Sequence, residues 1–294
     1  MKDQDIVQRF LFDGTDLRGE ITTLTSSFRD IISIQRYPLP VCMLFGEFLA
    51  AASLIAASLK HQGIITVQAS GDGPLSMIMA ECNHNQQVRG IVRGDFDNTI
   101  FSRPNSCEKL SSLFGKGKLA ITIEPDQGER YQGIVPMELD NLSRCLEFYF
   151  EQSAQLPTKI RLASNVNAAS GILIQQLPSN TDDLSKDIHW QHFSTLFETI
   201  KSEEQLILSH NEQLYRLFHQ DNVRLFEPQN ISFLCGCSMK RTERALVSLG
   251  IDELLETCKE QGLVKITCQF CDQEYRFTKA MILLMFEPET KSLH

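Results

Sequence analysis

The chain has 294 residues, a formal net charge of -9 and an apolar fraction of 42%. This length can bury one full core and still carry a second, smaller unit, so we expect two domains. The acidic balance argues against a domain that holds DNA or RNA by neutralising phosphates, because such a domain carries a basic face. Composition thus argues against one class of partner but identifies none.

The cysteines and the apolar stretches indicate in which cellular compartment the protein is expected. The nine cysteines are an odd number, and several lie in apolar runs, which favours a reducing compartment over a secreted disulfide scaffold. Residues 1–5 lack the basic start of a signal peptide. The most apolar stretch, residues 48–59, has about half of the roughly 20 residues that a membrane span needs. We therefore expect a cytoplasmic protein with no membrane partner.

Residues 1–178 mix strand and helix patterns and predict an α+β domain in which helices pack on antiparallel sheet. Helical spacing of apolar residues predicts helices over 44–60 and 139–155. Extended patterns, two of them joined by glycine-containing turns, predict three hairpins. These pair 64–70 with 75–82, 119–124 with 130–135, and 159–164 with 171–177.

Residues 179–230 change character and predict a helical linker. This segment holds nine acidic and four basic residues, and Ser202 with Gln205 resembles a capping box at the start of a second helix. Two amphipathic helices of this kind are marginal alone, because most helical stability comes from packing, so conditional folding is predicted. The apolar residues share two helical faces: Trp190, Phe193, Leu196, Phe197 and Ile200, then Leu206, Ile207, Leu214, Leu217 and Phe218.

Four of the seven histidines also lie in the linker. Histidine can bind metal, but nothing in their spacing groups them into a site. We expect these side chains on solvated helix faces: His189, His192, His210 and His219.

Residues 231–294 predict a small C-terminal domain that is held together by a metal. A unit of this size rarely builds a sufficient hydrophobic core and commonly needs disulfide bonds or a bound metal ion to stabilise it. Helices are predicted over 238–249 and 252–261, and short strands over 264–268 and 275–278. Cys235 and Cys237 form a Cys-Gly-Cys pair, and Cys268 and Cys271 form a Cys-Gln-Phe-Cys pair.

The two thiol pairs predict a zinc site. Zinc prefers four thiolates in a tetrahedron, and two close pairs brought together by a short fold supply that geometry. Such a site has no open position for a water nucleophile, so hydrolysis is not expected. The same thiols could instead pair as disulfides. Spacing alone favours a static zinc clip, whereas the marginal linker directly before the site favours a redox switch.

The chemistry of a redox switch follows from the bound metal. Structural zinc contributes on the order of 10 to 16 kcal/mol, which is folding free energy when the metal-free domain is disordered. Zinc-bound thiolates are deprotonated and react with peroxide or hypochlorous acid through sulfenic acid to disulfide. If Cys268 pairs with Cys271, the remaining Cys235 and Cys237 are too weak a site to retain zinc.

The remaining cysteines are expected to be inert. Cys42, Cys82 and Cys145 lie in apolar runs, and Cys258 shares a helical face with leucines, so all four predict core packing. Cys107 lies in a loop-like segment and has no assigned role.

Two other functions are compatible with parts of the sequence. A zinc-ribbon module with a static structural zinc could bind nucleic acid, but the acidic balance and the lack of interleaved basic and aromatic residues weigh against it. An enzyme could use polar groups of the first domain, yet no pattern assembles them into a catalytic set, so no enzyme is predicted. Those groups are Glu47, Asp72, Glu81 and Arg130.

Motifs along nearly the whole chain point to one known family. In the C-terminal part they are Phe233, Cys235, Cys237, Ser238 and Phe270-Cys271. The N-terminal motifs are residues 12–20 with Arg18-Gly19-Glu20, Leu44-Phe45-Gly46-Glu47, Gly71-Asp72-Gly73-Pro74-Leu75, Arg89-Gly90, Arg130-Tyr131-Gln132-Gly133, Gln152-Ser153, Gln155-Leu156-Pro157-Thr158, Gly171-Ile172-Leu173 and Gln175-Gln176-Leu177-Pro178. With these motifs the chain resembles the bacterial redox-regulated chaperone family called heat shock protein 33, although Met239-Lys240 stands where a more charged pair is expected.

The resemblance implies a cytoplasmic bacterial holdase that is inactive while reduced and bound to one Zn2+. The implied ligands are Cys235, Cys237, Cys268 and Cys271, and oxidation is implied to join Cys235 with Cys237 and Cys268 with Cys271. The family implies binding of unfolding proteins without ATP, and a homodimer in the activated state.

A physical route can connect zinc loss to client binding. Without the metal, residues 231–294 lose the crosslink between the two thiol pairs, and the linker loses a packing partner. Both can then unfold. Unfolding would expose Trp190, Phe193, Phe197 and Leu217, together with the surface they had covered. Exposed apolar patches of a few hundred Å2 are typical of binding surfaces.

Overall fold

The computed structural model describes residues 4–59, 62–102, 109–178 and 184–286. The chain divides into two units, Met1–Leu234 and Cys235–His294. The domain boundaries predicted at residues 178 and 230 stay predictions. Cys107 and the start of the linker, residues 179–183, lie outside the described residues.

The first unit contains the following elements among its described residues. Its strands are β1 (Ile6–Phe12), β2 (Leu17–Leu24), β3 (Gly63–Ser70), β4 (Leu75–Asn83), β5 (Gln87–Gly94), β6 (Lys118–Pro125), β7 (Tyr131–Pro136), β8 (Thr158–Ser164), β9 (Ala169–Gln176), β10 (Val223–Leu225), β11 (Gln229–Asn230) and β12 (Ser232–Phe233). Its helices are α1 (Ser26–Ile34), α2 (Leu39–Ser58), α3 (Leu110–Phe114), α4 (Leu142–Tyr149), α5 (Leu184–Phe197), α6 (Ser202–Ile207) and α7 (His210–Phe218).

Two six-stranded sheets enclose α2. Sheet A has the order β10-β1-β2-β9-β8, with β11 also paired to β1, and sheet B has the order β12-β5-β4-β3-β6-β7. The three predicted hairpins are confirmed as β3 with β4, β6 with β7 and β8 with β9. The α+β class is therefore correct. The predicted helix over 139–155 is α4 followed by a π-helical turn, Phe150–Ala154.

The apolar helix α2 is longer than predicted. It has 20 residues and a mean hydropathy of 1.9, so by length and composition alone it could cross a membrane. The argument that this stretch is too short was wrong. Its residues, among them Phe45, Phe48 and Leu49, instead pack in one core with the inner faces of both sheets. Burial between two sheets accounts for its composition.

The linker helices α5, α6 and α7 cover the outer face of sheet A. Six sheet residues form what we call the linker face: Phe10, Phe12, Leu17, Ile21, Ile172 and Ile174. Six buried residues on or beside the helices pack on it: Phe193, Phe197, Ile200, Leu214, Leu217 and Phe218. The ring centroid of Phe12 lies 4.1 Å from that of Phe193 and 4.9 Å from that of Phe218.

The second predicted linker helix is two helices. Ser209 begins α7, where its Oγ accepts from the Glu212 N–H and Glu212 accepts from the Ser209 N–H. The predicted box at Ser202 and Gln205 was wrong, because Glu204 accepts from the backbone N–H of Lys201, the residue before α6. Gln205 is instead buried, and its Nε2 donates to the carbonyl of Arg161 at 3.2 Å.

His210 does not lie on a solvated face, contrary to expectation. Its side chain is fully buried, with Nε2 3.0 Å from Thr23 Oγ1 and Nδ1 2.8 Å from Gln8 Oε1. These contacts tie the start of α7 to β2 and β1. His192 and His219 are exposed as expected, whereas His189 is half-buried.

The chain then returns along the edges of both sheets, which was not predicted. We call residues 222–234 the return segment. β10 and β11 pair antiparallel with β1, and β12 pairs parallel with β5. The last of these contacts is the bond from the Leu234 N–H to the Val88 carbonyl, 3.2 Å long.

The second unit has a small core of its own. It contains α8 (Met239–Val247), α9 (Ile251–Gln261), β13 (Val264–Thr267), β14 (Glu274–Phe277) and α10 (Lys279–Met285), of which α10 was not predicted. The strands form one antiparallel hairpin. Six buried side chains make up its described core: Leu246, Leu254, Cys258, Val264, Phe277 and Ile282.

Candidate metal centre

The first thiol pair is positioned by the start of α8. Ser238 caps this helix, since its Oγ accepts from the Arg241 N–H at 3.3 Å. The Arg241 side chain donates to the carbonyl of Gly236 at 2.7 Å, which fixes the loop between Cys235 and Cys237. The helix N-terminus thus lies one residue beyond Cys237, where its partial positive charge favours a thiolate.

The second thiol pair lies in the turn between β13 and β14. The Cys268 N–H donates to the Gln273 carbonyl at 2.9 Å, and the Asp272 N–H donates back to the Cys268 carbonyl at 2.8 Å. Asp272 has a φ of 58°, a left-handed conformation that aspartate tolerates better than most residues do. The turn presents both sulfur atoms on the same side as the first pair.

The four sulfur atoms form one cluster. All lie within 4.8 Å of one another, with Sγ atoms 3.5 Å apart for Cys235 and Cys268, and 3.3 Å apart for Cys237 and Cys271. Zinc–sulfur bonds of about 2.3 Å in a tetrahedron place sulfur atoms roughly 3.8 Å apart. The donor set therefore fits a tetrahedral metal ion, as its spacing predicted.

The electrostatics of the cluster favour one thiolate even before metal binds. Burial acts to raise the pKa of Cys237, but hydrogen bonds from Tyr275 and the neighbouring cysteines outweigh it and lower that pKa to about 7. Burial raises the pKa of Cys235 and of Cys271. All four cysteines are partly exposed, so oxidants can reach them.

Tyr275 supports the cluster and was missed from the sequence. Its hydroxyl donates to Cys237 Sγ at 3.1 Å from the adjacent strand β14. Groups that hydrogen-bond metal ligands orient them and tune their basicity. The only signal for it in the sequence is an aromatic residue four positions after Cys271.

Replacing Tyr275 with phenylalanine should weaken metal binding without removing a ligand. We expect metal affinity to fall by about 10- to 100-fold, the usual effect of losing a hydrogen bond to a metal ligand. Competition with a chromogenic chelator would measure it. Tyr37→Phe, which alters a tyrosine of the first unit, is the control; equal affinity of Tyr275→Phe and wild type would contradict the role.

The other cysteines are separate from the cluster. Cys82, Cys145 and Cys258 are buried as predicted, and burial raises the pKa of Cys82 and raises that of Cys145 to about 11. Cys42, near the start of α2, is only half-buried. Burial still raises its pKa. With raised pKa values, the thiols of Cys42, Cys82 and Cys145 stay protonated near neutral pH.

The remaining candidate residues lie in the first unit, where Arg130 is exposed. Among the proposed client-binding residues, Phe193, Phe197 and Leu217 are buried against the linker face, and Trp190 is partly buried beside them. Among the enzyme candidates, Glu81 pairs with Arg89 at 2.6 Å. Asp72 accepts from the Lys116 N–H at 2.7 Å, and burial raises the pKa of Glu47 to about 8.

Comparisons with known proteins agree with this architecture. The family model described as Hsp33 protein matches residues 5–278. A 33 kDa chaperonin of Pseudomonas aeruginosa (strain LESB58) is 42% identical over 291 residues, covering 97% of this chain and 96% of that protein. One of Aeromonas salmonicida (strain A449) is 43% identical over 281 residues, covering 94% and 93%.

The fold is also found in a solved structure. The crystal structure of a 33 kDa chaperonin from Thermotoga maritima matches with a TM-score of 0.79 at 19% identity. The match covers 96% of this chain and 97% of that one. With the family model spanning nearly the whole sequence and relatives above 40% identity, the chain belongs to the Hsp33 family of chaperones.

Proposed function

We propose that this chaperone is an ATP-independent holdase that a zinc-bound thiol cluster keeps closed and that oxidation opens. The proposal depends on the position of the thiol cluster in the chain. Four partly exposed thiols lie within 4.8 Å of one another, and the first of them, Cys235, directly follows the return segment. That segment in turn contacts the core of the linker face, which the linker helices cover. Losing the cluster can therefore be transmitted to that face along the chain.

The closed state depends on one Zn2+ held by Cys235, Cys237, Cys268 and Cys271. When bound, the ion crosslinks two distant parts of the second unit. The described core of that unit has only six buried side chains, too few to stabilise a domain of about 60 residues by packing alone. Metal binding of about 10 to 16 kcal/mol exceeds what such a core can contribute.

Oxidation removes the ligands. Two thiols and one hydrogen peroxide give one disulfide and two water molecules, so two equivalents oxidise all four thiols. Family resemblance supports pairing Cys235 with Cys237 and Cys268 with Cys271. The shortest sulfur separations run across these pairs. After unfolding, however, neighbours in sequence have the smallest loop-closure cost, which favours the pairing within each motif.

Unfolding of the second unit reaches the linker through the return segment. Leu234 ends this segment on β5, and the ligand Cys235 is the next residue. The linker helices precede the return segment in the chain. Their interface with sheet A is polar as well as apolar, because Gln205, His210 and Gln213 are buried there. Among the described residues Gln213 Oε1 has no hydrogen-bond partner, and a buried group of this kind costs about 1 to 3 kcal/mol.

Opening would expose apolar surface on both sides of the interface. The helices would present Trp190, Phe193, Phe197 and Leu217, and sheet A would present the linker face. Partly folded proteins display complementary apolar surface, so they are the expected clients. The acidic linker would keep the opened chaperone soluble, and the active form is proposed to be a cytoplasmic homodimer.

Simultaneous measurement of three quantities tests this function. Hydrogen peroxide with mild heat should release about one zinc per chain, consume four thiols and confer suppression of aggregation on a heat-unfolding reporter enzyme, all with the same time course. Cys258→Ala, which alters a buried cysteine of the same unit, should behave as wild type. If zinc leaves and the thiols are consumed but aggregation proceeds unchanged, the holdase function is wrong.

A further inference from the structure

Backbone hydrogen bonds attach the return segment to the outer edge of β1, in addition to side-chain contacts such as that of Ile231, which is buried in the core around α2. Along β1 the Asp13 N–H donates to the Asn222 carbonyl at 3.0 Å, the Phe226 N–H donates to the Arg9 carbonyl at 2.9 Å, and the Ile231 N–H donates to the Asp5 carbonyl at 2.7 Å. Without this segment β1 would be the edge of sheet A. Residues 5–13 would then present a row of unpaired N–H and C=O groups, the usual template for strand addition.

The side chains of the return segment alternate as those of a sheet strand do. Val223 and Leu225 contact the linker-face core, whereas Arg224 between them is exposed. The pairing between β1 and the return segment is irregular in the middle. Phe10 pairs with Leu225 and Val7 with Gln229, so two residues of β1 face three residues of the return segment. One of these three is Pro228, which has no N–H to donate. The outer edge of β1 therefore pairs with a strand that is not regular along its whole length.

We propose that, once the return segment has been released, the outer edge of β1 captures an extended stretch of the unfolding client by strand addition. The inference rests on the proposed function and specifies its binding mode. The fitting ligand is an extended, weakly charged segment with apolar residues at alternate positions. Its backbone pairs with residues 5–13, and its apolar side chains lie beside Phe10 and Phe12 on the linker face.

Strand addition explains how one surface serves unrelated clients. Main-chain hydrogen bonds are common to every sequence, whereas the alternating side chains add a preference for β-prone stretches. Segments of this kind are also those that aggregate when a protein unfolds. An apolar face alone would bind side chains irrespective of the ligand backbone, so the two modes make different predictions.

A backbone-modified peptide separates these modes. The probe is a fluorescein-labelled peptide of residues 221–231 of this chain, and its control carries N-methyl groups on Phe226 and Ile231, whose N–H groups bond to β1. By anisotropy, the unmodified peptide should bind the oxidised full-length protein at least tenfold tighter than the methylated one. Neither should bind the reduced protein, where the edge is filled.

A pair of proline variants tests the same edge during client holding. Leu11 lies opposite Arg224, midway between the bonded positions 9 and 13, so its N–H faces the return segment rather than β2. After oxidation Leu11→Pro should hold severalfold less client. Arg224→Pro breaks the same pair from the other strand, so it should hold client as wild type does and open at lower peroxide.

The outcomes distinguish this inference from the proposed function. If the oxidised protein binds both peptides equally, or if Leu11→Pro retains zinc and holds client as well as Arg224→Pro does, the edge is not the binding site. If a second copy fills the edge with its own return segment, the oxidised protein will bind no peptide, which also overturns the proposal. A wild-type protein that suppresses no aggregation but binds the unmodified peptide selectively refutes only the holdase function.

Discussion

Replacing Cys268 with serine is expected to remove the metal and unfold the second unit. A neutral hydroxyl cannot replace the thiolate, and three ligands leave the two thiol pairs incompletely crosslinked. The loss should approach the metal contribution of about 10 to 16 kcal/mol, which exceeds the stability of a typical small domain. Far-UV circular dichroism should show loss of α8, α9 and α10, and metal analysis should find less than one zinc per chain.

Cys258→Ala is the matched control for this variant. Cys258 lies on α9 in the same unit, is buried and is not one of the four clustered cysteines. Its replacement removes one small buried group and should cost about 1 kcal/mol while the metal stays bound. If Cys268→Ser instead keeps a stoichiometric metal and the wild-type dichroism spectrum, the cluster does not hold this unit together.

Replacing Phe193 with alanine is expected to release the linker helices without oxidation. Its ring packs against those of Phe12 and Phe218, at centroid distances of 4.1 Å and 5.7 Å. Removing a buried phenylalanine costs about 3 to 5 kcal/mol. Trp190 is the only tryptophan of the chain and contacts the same cluster, so its fluorescence reports on this interface. In Phe193→Ala the emission should shift to longer wavelength well below the temperature of global unfolding.

The same helix supplies a control for the linker variant. Ile188 is 65% exposed, and Ile188→Ala should change stability by no more than about 0.5 kcal/mol. Phe193→Ala should also suppress aggregation at lower peroxide concentrations than wild type, although it lacks one apolar contact for clients. If its tryptophan transition coincides with unfolding of both sheets, the linker helices do not form a separately opening layer.

The parts of the fold that were predicted are those with local signals. The three hairpins join strands that are neighbours in sequence, and alternation of apolar residues marked them. The metal cluster was also predicted, because Cys235 with Cys237 and Cys268 with Cys271 each form a chelating pair by sequence alone. The helix predicted over 139–155 kept its position, although its second half is a π-helical turn.

The parts that were missed depend on contacts between distant residues. β10, β11 and β12 are two or three residues long, and each exists because β1 or β5 offers an open edge. No periodicity can be recognised over such lengths. His210 was expected on a solvated helix face, yet Thr23 and Gln8, about 190 and 200 residues earlier, each lie within hydrogen-bond distance of one of its ring nitrogens.

The late position of the return segment in the chain also determines how long the outer edge of β1 stays uncovered during synthesis. Phe12 pairs with Val223, which lies 211 positions later in the chain, so the ribosome must add that length before the outer edge of β1 can be covered. At about 5 to 20 residues per second, the nascent chain spends on the order of ten seconds or more with that edge open. During synthesis this chaperone therefore exposes the same edge that we propose for clients, and it needs protection from its own aggregation until residue 231 has emerged.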